Sequence, residues 1–401
     1  MTRLRLLSGP ALVQGPEPLS AHVRRFGPVA AAGPALIAAL EESGLTGRGG
    51  AAFPTARKWR AVAAAGAGAV VVVNGAEGEP QSLKDRVLMS ARPHLILDGA
   101  LLAARTVQAS QIVVYVGEDH RAAHLAMARA MAERPEAELR NARLAVAPAR
   151  YVAGESSAVA NFVASAVATP TSNPPWPHQG GAGRPPVLVQ NVETLAQVAL
   201  IARYGAAWYR SAGCMGAAGT ILVTVAGAVE KPGVIEIEAG TTVREVLSMA
   251  GGLTQQMKAV LLGGYFGQWI RAEAAWDLAL DPVTLRGLGL TLGCGVVGFL
   301  PHAGCGVCET ARIMEYLAAE SSAQCGPCFF GLGALAGATG RIAQNRADAE
   351  DLARLQRWSR EVVGRGACRH PDGAGAFLQS ALATFHAEFA GHSSHTRASV
   401  A

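Results

Sequence analysis

Three groups of residues in this sequence have the types and spacing to do chemistry. From Gly44 to Trp59 the chain reads Gly-Leu-Thr-Gly-Arg-Gly-Gly-Ala-Ala-Phe-Pro-Thr-Ala-Arg-Lys-Trp, four glycines and three cations around Phe53. Glycine lets backbone N–H groups close on a phosphate, and Arg48, Arg57 and Lys58 add positive charge. Phe53 is placed to lie against a flat ring. Alone, the segment reads more readily as an ordinary loop between a helix and the next strand. The second group, Asn74-Gly-Ala-Glu-Gly-Glu-Pro80, follows the valine run Val70–Val73. It therefore stands at the carboxyl end of a predicted strand, where open parallel sheets bind ligands. Asn74 offers an amide to a ring edge, and Glu77 and Glu79 accept from ring or ribose donors. A solvated acidic turn is the plainer alternative.

The third group is cysteine. The seven are Cys214, Cys294, Cys305, Cys308, Cys325, Cys328 and Cys368. An odd number in a chain of this size is not a disulfide framework. The two C-x-x-C pairs, Cys305/Cys308 and Cys325/Cys328, read as metal or redox candidates. Cys308 and Cys325 lie 17 residues apart, with a helical-looking stretch between the two pairs. At a helix N-terminus Cys305/Cys308 has the setting of a redox pair with a lowered thiol pKa. Small apolar packing is the alternative there, and the preferred reading for Cys214 and Cys294.

The elements that position these groups follow from the hydrophobic pattern. Residues 1–33 show little periodicity and read as an irregular leader. Pro34–Ser43 is a helix with proline at its first position, stopped by Gly44. Strands at Ala69–Asn74, Ile112–Val116 and Ala142–Val146 alternate with helices at Leu83–Ser90, His94–Val107 and His120–Ala132. Helices at 154–168 and 192–204 follow, split by the Pro/Gly-rich loop Thr169–Pro186. Apolar strands alternating with helices predict an α/β domain with a Rossmann-like parallel sheet over 34–212. Thr220–Val225, Val234–Glu238, the helix Val243–Met249 and Ala259–Leu262 predict a β-grasp-like middle domain over 213–300. Helices near 309–320, 327–337, 346–363 and 374–390 predict a four-helix bundle around a metal centre over 301–392, with a flexible tail at 393–401.

Together the glycine loop and the acidic turn resemble a known family, the NADH-binding, FMN-carrying subunit of respiratory complex I, shared with NAD-linked hydrogenases and formate dehydrogenases. The family's G-R-G-G-A-G-F-P-T-G-x-K-W stands here as Gly47–Trp59, with Ala52 and Ala56 in place of two glycines. Its N-A-D-E-x-E-P stands as Asn74–Pro80, with Ala76 in place of the aspartate. Gly154-Glu155, Pro174-Pro-Trp-Pro177 and Gln190-Asn-Val-Glu-Thr194 extend the likeness, which covers the chain from about residue 34 to 390. The form of Asn74–Pro80 leans toward the related Rnf-type ferredoxin–NAD oxidoreductase subunit. The resemblance implies that Gly47, Arg48, Gly49, Lys58, Asn74, Glu77, Gly154, Glu155, Gln190 and Asn191 surround FMN. It implies that Gly50, Phe53, Glu79 and Trp176 face NAD(H), with hydride passing to the flavin and no protein acid or base required. The family's second glutamate after the Gly-Glu pair is Ser156 here, and its lysine before Pro-Pro is Asn173. Loss of an acid near the nucleotide relaxes discrimination against a 2′-phosphate, with NADH kept ahead of NADPH.

The same resemblance implies an iron–sulfur centre. Glu320-Ser-Ser-Ala-Gln-Cys-Gly-Pro-Cys-Phe329 and Cys368 correspond to the family's E-S-C-G-x-C-x-P-C-R and its later cysteine. Three ligands are present as Cys325, Cys328 and Cys368, and the fourth position is Ser322. Four thiolates are the usual set. A 4Fe-4S cluster completed by Ser322 or water, a three-iron cluster and no cluster all stay open. The middle domain resembles the family's soluble-ligand-binding β-grasp module (SLBB), here expected to be a spacer. The implied activity is an NADH dehydrogenase-type oxidoreductase passing electrons from FMN through the cluster. Its expected partner is a ferredoxin, a thioredoxin-like [2Fe–2S] subunit or a quinone-linked reductase. The rival is a non-catalytic binding or assembly protein that has kept the fold.

Composition sets the outer limits. In 401 residues, 50% are hydrophobic and 16% charged, which is the make-up of an ordered chain with room for several cores. The net charge of +5 comes from scattered basic residues, without the stripe expected of a nucleic-acid binder. The charge-free stretches Ser156–Gly183, Ser211–Val229, Gly287–Cys308 and Ser321–Gly340 are all interrupted by Gly, Pro, Asn, Ser or Gln. None is a continuous apolar helix. The N-terminus has no sustained apolar region, so a cytoplasmic location is expected, with any membrane association made through a partner.

Overall fold

Valine-rich runs and proline–glycine punctuation set the first half of the chain. The computed structural model describes residues 4–172, 176, 178 and 185–398. The chain divides into two compact units. The first comprises the chain up to Val223 together with Val234–Thr241 and Ala279–Thr284; the second comprises Thr224–Gly233, Thr242–Leu278 and everything from Leu285.

In the first unit, α1 (Leu19–Phe26), α2 (Pro34–Ser43) and α3 (Thr55–Ala64) precede the sheet. Helix α2 closes on Gly44 at φ +70°, a left-handed conformation that costs glycine little. Next come β1 (Val70–Gly75), α4 (Lys84–Ala91), α5 (Pro93–Thr106), β2 (Gln111–Gly117), α6 (Arg121–Glu133) and β3 (Ala142–Ala147). Helix α7 (Ser156–Ser165), β4 (Val187–Asn191) and α8 (Val192–Arg210) complete it. The four strands are parallel in the order β3-β2-β1-β4. The parallel α/β reading is therefore correct, with one strand more than expected. Strand β4 follows two prolines and is only five residues long, so it carries little periodicity. Its pairing puts Val73 beside Gln190 and Asn74 beside Asn191. Helix α5 is buried on nearly every face and packs against α8 and the valines of β1 in one core.

The segment expected to be an irregular leader is anchored by buried charge. The Glu236 carboxylate accepts the backbone N–H groups of Arg5, Leu6 and Leu7 at 2.9–3.1 Å. The buried Arg92 guanidinium donates to the carbonyls of Leu7, Ser8 and Pro10. Paired in this way, neither charge is left bare in the interior.

In the second unit, β5 (Thr220–Gly227), continued from the first, runs parallel to β9 (Val296–Pro301) from Thr224 onward. Strand β9 pairs antiparallel with β7 (Met257–Leu262), and β7 with β8 (Gln268–Arg271). Strand β6 (Gly233–Glu238) belongs, from Val234 on, to the first unit. Helix α9 (Val243–Met249) opens with a capping box between Thr242 and Glu245, which satisfies end N–H groups reciprocally. The helical part is richer than four helices. It contains α10 (Gly306–Ala319), a π-helical turn at Pro327–Leu332, α11 (Gly333–Ala343) and α12 (Asp351–Glu361). The helix expected at 374–390 is two, α13 (His370–Thr384) and α14 (His386–Ala398). Helix α14 carries regular backbone into the segment expected to be a flexible tail. Among the described residues no single helix is long and apolar enough to cross a membrane.

One buried polar cluster links helices of the first unit. Asp98 on α5 meets His22 Nε2 at 2.9 Å, Arg134 at 2.5 Å and Arg203. Burial alone would raise the Asp98 carboxyl, but His22, Arg134 and Arg203 outweigh it and hold it at about 2. Beside it, burial and then the Arg134 charge push the His94 imidazole down to about 4. A depressed histidine stabilises the fold fully above its unfolded value near 6.5, and that contribution is lost as pH falls through the folded value. Wild-type protein is therefore expected to lose on the order of 2 kcal/mol between pH 7 and pH 4 from this residue. Urea titrations at both pH values check it, and His94→Gln should show a smaller acid loss; an equal loss in both proteins would refute the assignment.

Candidate functional site

The carboxyl ends of β1 and β4 are adjacent, and three backbone segments converge there. The first is the glycine loop. It is closed as a ring by a bridge between Thr46 and Pro54 and by the Gly47 N–H donating to the Phe53 carbonyl at 2.9 Å. Gly50 lies at φ +106° and Ala52 at φ +49°. Ala52 is one of the two alanines standing where the resembled motif has glycine, and its left-handed backbone costs roughly 1 kcal/mol that glycine would avoid. The other, Ala56, is a buried helical residue of α3, where alanine is favoured. Gly49 backs onto Asn191, whose Cβ would be 3.5 Å from an added methyl.

The second segment is the acidic turn after β1, and the third is the strap Tyr151–Glu155. They touch backbone to backbone. A Cβ on Gly154 would lie 2.5 Å from the Ala76 carbonyl oxygen, and one on Gly78 would lie 2.5 Å from that of Tyr151. Asn74 Nδ2 donates to the Gly154 carbonyl at 2.9 Å, and the Tyr151 hydroxyl donates to Glu79 at 3.0 Å. Only glycine permits this approach at both places.

Two acids that look ligand-facing in the sequence are occupied. Helix α4 starts after Leu83, a residue with no capping oxygen, so its first N–H groups need acceptors from elsewhere. Glu77 supplies them. Its carboxylate accepts from Ser82 Oγ at 2.5 Å, from the N–H groups of Asp85 and Arg86, and from Arg86 Nε. Glu155 likewise caps α7, accepting the N–H groups of Ser157 and Ala158. Asn191 caps α8 through Glu193 N–H at 3.0 Å while its amide donates to Asp85 at 2.6 Å.

Beneath these caps lies an ionic knot that the sequence does not reveal. The buried Lys84 ammonium is 2.7 Å from Asp85 and 2.9 Å from Glu193. Burial opposes its charge, but Asp85, Glu193 and Glu77 outweigh that and hold it firmly protonated. Burial pushes the Asp85 carboxyl up to about 7 against the pull of Lys84, with Glu77 and Glu193 adding to the rise. Lys84 and Asp85 are visible in the sequence as charges at a helix start; their partner Glu193 is not, because only the β1–β4 pairing brings it near.

Lys58 points from α3 to the Val189 carbonyl of β4 at 3.1 Å. Desolvation pulls its pKa below the usual lysine range, and the Glu155 charge offsets this only in part. Arg48 anchors the loop, its N–H bonded to Thr194 Oγ1 at 2.9 Å and its guanidinium to the Tyr209 hydroxyl. Arg48 Nε and Gln190 Nε2 are buried with no hydrogen-bond partner among the described residues. Around the rim, Arg57 sits over the Phe53 ring at 5.7 Å, and His178 lies 6.4 Å from Phe53 and 6.5 Å from Trp176. Phe53 and Trp176 are exposed. Asn173, Pro174, Pro175 and Pro177 lie outside the described residues.

In the second unit, the turn before α11 carries Cys325, half-buried, and Cys328, buried; Cys368, half-buried, precedes α13. Burial, then Cys325 and Cys368, push the Cys328 thiol up to about 12, so Cys328 feels both of the other sulfurs. Ser322 is half-buried in the same segment as Cys325. Cys305 and Cys308 stand at the other end of α10, as the helical spacing required. The lowered thiol pKa expected there is not found at Cys308. Desolvation and the neighbouring Cys305 raise it to about 11. Cys214 is exposed, contrary to a packing role, and Cys294 donates to the Gly263 carbonyl.

Likeness to known proteins now decides the family. Residues 40–200 match the Nuo51 FMN-binding domain, 222–263 the SLBB domain, and 308–392 the NADH-ubiquinone oxidoreductase-F iron–sulfur binding region. An NADH-quinone oxidoreductase F-subunit of Rhizobium meliloti is 32% identical over 376 residues, 89% of this chain and 88% of that protein. The corresponding F-subunit of Escherichia coli is 32% identical over 371 residues, 88% of this chain and 83% of its own length. The chain belongs to the NADH-quinone oxidoreductase F-subunits.

A solved NAD+-reducing [NiFe]-hydrogenase chain in the air-oxidized state has the same fold, with a TM-score of 0.83 at 28% identity. The match covers 96% of this chain but 66% of the hydrogenase chain. As a member of the F-subunit group the protein is an NADH-oxidising flavoprotein with FMN and an iron–sulfur region. The residues fit both groups. The cleft offers unpartnered buried donors and an under-neutralised cation to an anionic flavin, and thiols are the soft ligands that iron–sulfur centres take. A Gly154→Ala variant is expected to force the strap off the Ala76 carbonyl and to lose most bound flavin while keeping its far-UV circular dichroism. Retention of wild-type flavin absorbance per chain would show that the close approach is dispensable.

Proposed function

We propose that FMN binds between the glycine loop, the Asn74–Gly78 turn and the Gly154–Glu155 strap, with NAD(H) on the open side by Phe53 and Trp176. The observation that carries this is a convergence at the carboxyl ends of β1 and β4. There β4 carries Gln190, whose buried Nε2 has no partner among the described residues, next to Val189, whose carbonyl takes the desolvated Lys58 ammonium, and Arg48, whose buried Nε likewise has no partner among them, ties the loop to Thr194. Lys58 and the backbone N–H groups of Gly49 and Gly50 offer the positive surroundings that a flavin phosphate or ring carbonyl requires. Gln190 and Asn74 offer amide donors to the ring edge. Glu77, Glu155 and Asn191 act one step back as helix caps that fix the walls. Glu79, tied to Tyr151, is the acid left on the nucleotide side.

FMN, when bound, would supply a hydride acceptor able to release electrons singly. The protein's own part is to orient the nicotinamide against Phe53 and Trp176 and to hold a fixed positive charge beside the ring as negative charge arrives. Cys325, Cys328 and Cys368, with Ser322 or water at the fourth position, would hold an iron–sulfur centre, which would supply a one-electron relay toward a ferredoxin or a thioredoxin-like [2Fe–2S] subunit. A quinone-linked reductase is the more remote acceptor.

A second reading has one specific support. Ala76, Ser156 and Ser322 each replace a polar or thiol residue of the resembled motifs, as a fold-keeping assembly protein would. Purified protein separates the two. A yellow preparation bleached by NADH supports the oxidoreductase, whereas a colourless one that FMN does not reconstitute excludes it. Lys58→Met should weaken FMN binding about tenfold to a hundredfold, the cost of one charge-assisted hydrogen bond, measured by flavin fluorescence quenching; unchanged affinity would remove Lys58 from the site. Ser322→Cys should raise iron and acid-labile sulfide per chain, or make the cluster spectrum more resistant to oxygen. Identical content and stability in both proteins would mean that Ser322 is not at the fourth position.

A further inference from the structure

We propose that Cys305, Cys308 and His392 form a separate mononuclear zinc site that fastens the last helix to the start of α10. The three ligand atoms all lie within 4.8 Å of one another. Cys305 Sγ stands 3.6 Å from His392 Nε2. A tetrahedral zinc with bonds of about 2.3 Å to sulfur and 2.0–2.1 Å to nitrogen places S and N roughly 3.6 Å apart, so the pair already spans one edge of the required tetrahedron. The His392 Nδ1 atom is buried without a hydrogen-bond partner among the described residues. Nε2 is thus the ring atom presented to the sulfurs.

The surroundings hold this arrangement independently of any metal. Glu388, one helical turn before His392 on α14, accepts the Gly306 N–H at 2.7 Å through Oε2. Its Oε1 pairs with Lys258 Nζ at 2.8 Å, and Lys258 also donates to the Gly304 carbonyl at 2.5 Å. Helix α14 is therefore registered against the loop of the C-x-x-C pair by contacts on both sides of Cys305. Within the pair, the Cys308 N–H donates to Cys305 Sγ at 3.2 Å, so this sulfur already acts as an acceptor at the positive end of α10. Residues 87 positions apart in sequence meet in a set of two sulfurs and one imidazole.

Two thiolates and an imidazole select zinc over the hard cations magnesium and calcium. Binding releases the two thiol protons to solvent and changes no oxidation state, so no electron donor or acceptor is needed. Cys308 is exposed, which leaves the fourth coordination position to water. Cys308 stands in the first turn of α10 and Ser322 and Cys325 lie beyond its far end, so this site does not share the iron–sulfur ligands.

Elemental analysis of the full-length protein, purified without chelator after growth with added zinc, tests this. About one zinc per chain is expected in wild type. It should persist in Cys325→Ser and Cys328→Ser and be lost in Cys305→Ser/Cys308→Ser and in His392→Ala. Replacement by Co2+ should give thiolate-to-cobalt charge-transfer absorption that disappears in the same variants. Circular dichroism of His392→Ala guards against simple unfolding. Zinc-free wild type that also fails to take up added Zn2+, or zinc retained when Cys305 and Cys308 are both serine, would overturn the site. A Cys305–Cys308 disulfide found by mass spectrometry after anaerobic purification would overturn it too.

Discussion

The first unit depends on a lysine that has no access to water. Lys84 sits under the carboxyl ends of β1 and β4, clamped by Asp85 on its own helix and Glu193 on α8. Glu193 reaches further and accepts the N–H of Leu222 at 3.0 Å, while Asp85 takes the amide of Asn191. Two helix starts and two strand ends are thereby fixed to one charge. Removing one member of such a buried group costs about 3–5 kcal/mol, because the remaining charges lose their compensation in a poorly solvated interior. The walls of the cleft stay in place because this knot holds the residues that cap them.

Much of this architecture is legible in the sequence, and the parts that are not share a cause. Helix α2 can be read to its ends because Pro34 and Gly44 punctuate it, and β1 because four valines leave it no exposed face. Strand β4 escapes the pattern because two prolines precede a run too short to show a period. Glu77 reads as a ligand to a cofactor, yet its carboxylate caps α4. Leu83 is the available clue, since a helix beginning after a residue without a capping oxygen must borrow one. Lys84 with Glu193, and Cys305 with His392, are invisible because they meet only through tertiary pairing, which local pattern does not encode.

The departures from the family motifs fall into two physical kinds. Ala56 replaces a glycine at a helical position, where a methyl group is an advantage. Ala52 takes a left-handed backbone where the resembled motif has glycine and bears the strain. Ala76 and Ser322 are different, since there a methyl or a hydroxyl group stands where the resembled motif has a carboxylate or a thiol. Gly154, whose added methyl would collide with the Ala76 carbonyl, keeps the glycine of the motif.

Lys58 carries a consequence of its own. Its ammonium is held in a desolvated place with one carbonyl partner among the described residues, and the Glu155 charge offsets the desolvation only in part, so Lys58 holds its proton less tightly than an ordinary lysine does. An anion entering the cleft restores the incentive to keep it. Occupancy and protonation are then thermodynamically linked, and the affinity of the cleft for an anionic ligand falls as the solution becomes more alkaline. The cleft is in that sense a proton-coupled receptor, whose readiness to bind is set by the acidity of its surroundings.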